Sequence, residues 1–203
     1  MAHISENTFD DCNKLNQRQS NGLNFCPDTA TYLRQRFDNL PIHWACYYVK
    51  GTQSRMDHFS ALIQKSKRTL VAADAMGMTP LHILCCNLNA TVAMVRILIE
   101  NEPSLVAYPD TSENTPLELF VMCRSLTSPV HKRMPSLQDL FEKGITGEDL
   151  AILLVLDRNQ EIDFSVESRD ESTGLLPFMG AAISPTCGLD VVYILAMMKP
   201  DLI

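Results

Sequence analysis

Hydrophobic positions along the chain recur at helical spacing and are interrupted by short polar runs. Met94, Val95, Leu98 and Ile99 fall on one face of a helix, and Phe59, Leu62 and Ile63 repeat that face earlier in the chain. Four more apolar segments open on proline: "LPIHWACYY" at Pro41, "TPLHILCCN" at Pro80, "TPLELFVMC" at Pro116 and "LPFMGAAIS" at Pro177. Thr79 and Thr115 precede two of these prolines. A threonine there accepts a hydrogen bond from the open N–H groups of the first turn, and proline at the first helical position lacks an N–H that would have no partner anyway. Each proline therefore predicts the start of a short apolar helix, followed by a polar gap and a second helix.

The units align with one another. Residues 79–106 and 176–203 match over 28 positions without a gap, with identities at Val95/Val192, Ile97/Ile194, Leu98/Leu195, Pro103/Pro200 and Leu105/Leu202. Five identities in one register mark an internal repeat. Ahead of the prolines, "DAMGMTP", "DTSENTP" and "ESTGLLP" carry Asp74, Asp110 and Glu171 six positions before the proline, while Gly77 and Gly174 stand three before it, where a positive φ is easiest. The intervals between prolines are 39, 36 and 61 residues. The long one implies an insertion over about 128–144, in which "SLQDLFEKG" predicts an extra helix: Ser136 as N-cap, Asp139 at the capping-box position, Gly144 as stop. Thr146 then caps the helix that follows. Residues 1–27 are polar and aperiodic and read as a poorly ordered lead-in to a repeat domain over 28–203.

Helix–helix–turn at a period in the thirties, with T-P-L-H opening the first helix, resembles the ankyrin repeat. The resemblance runs over roughly 38–203, is strongest at "DAMGMTPLH", and departs from the family pattern at Leu84, where a small residue is expected, and at Glu113, where the turn glycine is expected. It implies an all-α, ankyrin-type helix-turn-helix solenoid with short β-turn fingers, about four repeats, one of them with an inserted helix. It also implies binding of a protein partner through the finger tips and the first-helix face. Carried over position by position, the partner-binding residues are Phe37, Tyr47, Tyr48, Met76, Met78, Cys86, Asn87, Ser112 and Asn114, with Arg36, Asn39, Ala75, Thr111, Met122 and Cys123 as further contact positions. In the family the T-P-L-H histidine bonds within the turn region, a role that falls to His82 here and to His43 one unit earlier.

Composition narrows the function without adding chemistry. A net charge of −7 offers no basic face for nucleic acid, and the one basic run, "KSKR" at 65–68, suits a solvated helix end. The longest apolar run, "LAILLVL", is far short of the ~20 residues that span a membrane. Seven cysteines without CxxC spacing, and no apolar leader, favour free thiols in a reducing compartment, cytoplasmic or nuclear. His43/Cys46 and His82/Cys85 share an i, i+3 spacing, yet helices packed about 8–10 Å apart cannot bring four ligands to one zinc ion. No nucleotide-binding loop and no nucleophile elbow occurs. The expectation is a non-catalytic interaction scaffold with no cofactor and no metal; the alternative is a regulatory or targeting segment of a larger enzyme. The last helix, rich in Val191, Val192, Ile194, Leu195, Met197 and Met198, has little room for a polar stripe, so that end is expected to be covered by a further repeat, a partner or a second copy of the chain.

Overall fold

The computed structural model describes residues 27–48, 53–126, 134–158, 162, 167, 169–170 and 173–200. Residues 1–26 of the lead-in expected over 1–27, positions 128–133 of the insertion and Glu171 lie outside them. Among the described residues all regular structure is helical. The chain divides into two compact units, 1–124 and 125–203.

In the first unit, α1 (Pro27–Arg36) leads into α2 (Pro41–Tyr48), α3 (Gln53–Lys65), α4 (Pro80–Cys86), α5 (Val92–Asn101) and α6 (Pro116–Cys123), with 3-10 turns at Lys67–Thr69 and Pro103–Ala107. The proline-opened helices pack side by side in the order α2, α4, α6, and α3 packs on α5 as a second layer. Met94, Val95, Leu98 and Ile99 are buried, as are Phe59 and Ile63. Each such side chain contributes roughly 1.5–3 kcal/mol by leaving water. Leu84, where the repeat pattern expects a small residue, is fully buried between its neighbours.

In the second unit, α7 (Leu137–Glu142) and α8 (Gly147–Leu156) precede α9 (Pro177–Ile183) and α10 (Leu189–Met198). The inserted helix α7 forms as its caps predict. Ser136 N–H donates to Asp139 Oδ2 at 2.8 Å, Asp139 N–H returns to Ser136 Oγ at 3.2 Å, and Gly144 ends the segment at a φ of +68°. Thr146 Oγ1 accepts from Asp149 N–H at 3.1 Å to start α8. The amide of Gly147 is closed by the Asp190 carboxylate at 2.7 Å, and α10 packs across α8. The loop between α9 and α10 is held to the end of α7, where Thr186 Oγ1 donates to the Phe141 carbonyl.

Candidate partner-binding face

Two turns of the first unit are built alike, on an aspartate. Asp74 Oδ1 accepts from the N–H groups of Met76 and Met78 at 2.9 and 3.0 Å, and Asp74 N–H donates to the Met78 carbonyl at 3.0 Å. Asp110 repeats the arrangement on Ser112 and Asn114 at 2.8 and 2.9 Å. The residue before the last must turn back at positive φ, which Gly77 does at +72° and Glu113, lacking glycine's freedom, does at +63°. The two fingers are joined: Thr111 N–H and Thr111 Oγ1 both donate to the Met76 carbonyl, at 3.0 and 2.9 Å. In the second unit the expected turn acid, Glu171, lies outside the described residues, and its neighbour carries a turn. Asp170, seven positions before Pro177, accepts from Thr173 N–H at 2.7 Å and its own N–H donates to the Leu175 carbonyl at 2.9 Å. That turn closes over one residue more than the other two.

Histidines tie each turn to the preceding helix. His43 Nε2–H donates to the Met78 carbonyl at 3.0 Å, and His82 Nε2–H donates to the Asn114 carbonyl at 3.2 Å. His82 Nδ1 accepts from Thr79 N–H at 3.1 Å, which places the ring proton on Nε2. Burial lowers both imidazole pKa values, against the opposing pull of the carbonyls they bond. The cysteines beside them are also structural in setting: Cys46 and Cys85 are fully buried and burial holds both thiols well above the usual range, so they stay protonated. Among the described residues no cluster of three or more His, Cys, Asp or Glu side chains is placed to hold a metal ion, and no helix is long and apolar enough to cross a membrane.

The expected contact residues separate into two groups. Phe37, Tyr47, Met78, Cys86, Asn87 and Asn114 are buried and offer a partner no surface, which corrects their assignment to the contact face. Each has an interior task. Phe37 packs among His43, Trp44 and Tyr47 with ring centroids 5.6–6.0 Å away. Met78 Sδ receives Arg36 Nη2 at 2.9 Å, and Cys86 closes the buried α4. Asn87 Nδ2 donates to the carbonyls of Cys46 and Tyr47 at 2.8 and 3.1 Å, closing the end of α2, and Asn114 Nδ2 bonds Asp110. Arg36 and Cys123 are buried as well. Tyr48 remains 39% exposed, and Met76 and Ser112 are half-buried at the finger tips. Ala75 and Thr111 beside them are exposed.

Trp44 is the surface residue that the repeat register did not single out. Its ring lies flat on Tyr48, centroids 5.3 Å apart and planes 7° off parallel, and it is half-buried. Tyr47 meets Tyr48 edge-on at 4.9 Å. As the lone tryptophan, four positions before Tyr48 on the same helix face, it carried a readable signal. Lys65, Lys67 and Arg68 of the basic run are exposed at the end of α3, around a shallow depression shared with Asn39 and Gln64.

Residues 76–110 match the family model described as Ankyrin repeat, a span that runs from the first finger tip to the turn acid of the next. No curated protein and no solved structure matches the chain.

Proposed function

We propose that the chain, whose residues 76–110 match the Ankyrin repeat model, is a non-catalytic interaction scaffold holding one protein partner against Tyr48, Met76 and Ser112. Ankyrin repeats generally mediate protein–protein interaction. The observation that carries the assignment is the pairing of consecutive fingers through Thr111 and the Met76 carbonyl, which holds the tips in a fixed spacing before any partner arrives. A surface ordered in advance binds without a further ordering cost. Trp44 stacked on Tyr48 adds a stiff aromatic patch, the residue types in which contact energy concentrates. Protonated, buried thiols at Cys46 and Cys85 suit a reducing compartment, cytoplasmic or nuclear.

Proximity labelling in cells, with wild type beside a Tyr48→Ala, Met76→Glu variant, tests this reading. A partner recovered by the wild type should be lost by the variant and kept by Tyr108→Ala, a control at another exposed tyrosine. Against the purified partner, the double substitution should cost about 2 kcal/mol or more. Equal affinity in a folded variant would place the contact face elsewhere.

A further inference from the structure

The loops that follow α3 and α5 are the same element in consecutive repeats. In the register that sets Asp74 on Asp110 and Pro80 on Pro116, the 3-10 turn at Lys67–Thr69 falls on the start of the one at Pro103–Ala107. Lys65, Ser66, Lys67 and Arg68 then correspond to Asn101, Glu102, Pro103 and Ser104. The later turn forms with one acid and no cation at these positions. The fold therefore does not call for the three cations of the earlier one.

Lys65, Lys67 and Arg68 are exposed, and among the described residues none of them has a carboxylate partner, whereas Arg36 has Asp74 and Lys199 has Glu167. With Asn39, Gln64 and Ser66 they line a depression of about 560 Å³. One small ion would not fill it, since a water molecule occupies about 30 Å³. Pro41 is the apolar residue in a wall otherwise polar or charged. A site for a small organic ligand is lined chiefly by apolar side chains, and this one is not.

The later repeat shows which anion suits the place. Glu102 Oε1 accepts from Ser104 N–H at 3.3 Å and from the Ser104 hydroxyl, so a carboxylate closes that turn. Ser66 stands at the position of Glu102 and makes no such bond. The Arg68 N–H, equivalent to that of Ser104, meets no acceptor among the described residues. We propose that this depression receives an acidic segment of a protein partner. One of its carboxylates takes the position at the Arg68 amide that Glu102 fills one repeat later, and others pair with Lys65, Lys67 and Arg68. A nucleic-acid backbone or an anionic membrane would extend past the patch and meet the remainder of a chain whose net charge is −7. Three cations also fall short of the roughly four to eight that mark a lipid-binding cluster. A short acidic segment meets only the patch.

This contact goes beyond the scaffold reading, and the two fail separately. A fluorescein-labelled peptide of alternating glutamate and glycine, titrated with the full chain, should gain anisotropy and lose it as sodium chloride is raised, because exposed ion pairs are screened. Replacing Lys65, Lys67 and Arg68 together by glutamine should weaken binding at least about tenfold. Ser66→Glu should weaken it too, by supplying the carboxylate from the chain itself. Arg34, Arg96 and Arg158 are exposed elsewhere, and their joint replacement by glutamine makes the same change in net charge. That control should leave binding unchanged, as should Tyr48→Ala with Met76→Glu. No binding at low salt overturns the proposal. So does equal weakening by the two triple replacements, or indifference to Ser66→Glu, in variants with native circular dichroism. Displacement of the peptide by inorganic phosphate or phosphatidylserine vesicles at lower concentration than by unlabelled peptide would overturn it in favour of a phosphate or a membrane.

Discussion

Arg36 Nε binds Asp74 Oδ2 at 2.7 Å, with the two side chains 3% and 0% exposed, so the end of α1 is fastened by a buried ion pair to the turn that precedes α4. Asp74 also accepts two backbone N–H groups of that turn. Removing the cation leaves a buried carboxylate without its counter-charge. Arg36→Leu should cost about 3–5 kcal/mol of stability. Adding Asp74→Asn to it should recover part of the loss, because asparagine keeps the oxygen that the turn amides need and discards the charge. Urea unfolding of the two variants checks the order.

Asn87 closes the end of α2 from 40 residues away and is fully buried. Asn87→Ala strips the Cys46 and Tyr47 carbonyls of their donor, and should lower stability by about 1–3 kcal/mol. Asn87→Asp should do no better, since it keeps only the acceptor oxygen that takes Asn89 N–H. Thermal melts of both variants against wild type measure this.

Glu113 and Gly77 stand at corresponding turn positions with opposite prospects. Glu113→Gly relieves a side chain held at a φ of +63° and should raise stability by about 0.5–1 kcal/mol. Gly77→Ala should be strongly destabilising. A Cβ there would sit 2.8 Å from the Thr111 amide nitrogen, in the bond that joins the two fingers.

Acid should loosen the first unit through its buried histidines. The folded pKa values of His43 and His82 lie below the ordinary 6.5, so unfolding takes up protons whenever the pH is below that value. Their contribution is complete above pH 6.5 and is lost as the pH falls from there through the folded values. Protonating His82 Nδ1 would also set a donor against Thr79 N–H. The urea midpoint should therefore drop across the window that opens as the pH falls below about 6.5. A His43→Gln, His82→Gln variant should start lower at neutral pH and show a flatter profile across that window.

Local chemistry made much of the fold readable from the chain. The helix starts at Pro41, Pro80, Pro116 and Pro177, the caps at Ser136 and Thr146 and the aspartate turns depend on residues within a few positions of each other. The contact face was harder to read because exposure is decided at a distance. Met78 and Asn87 occupy family contact positions, but Arg36 and the end of α2 reach them from roughly 40 residues away and take them inside. The apolar character of α10 was visible, whereas the side of it left open required the burial of Val191 and Leu195 to separate outer face from inner.

The bonds between the first two repeats run both ways, and this bears on how the chain could be cut or rearranged. His43 of the earlier repeat supplies the donor for the turn of the later one, and Asn87 of the later repeat supplies the donor for the helix end of the earlier. Arg124 continues the series by donating to the Asn87 carbonyl at 3.3 Å. Neither repeat can satisfy its own backbone without the other. Excising either repeat would leave buried groups of the other without their donors. The two repeats should therefore behave as a single exchange-protected block, with amides that open to deuterium together.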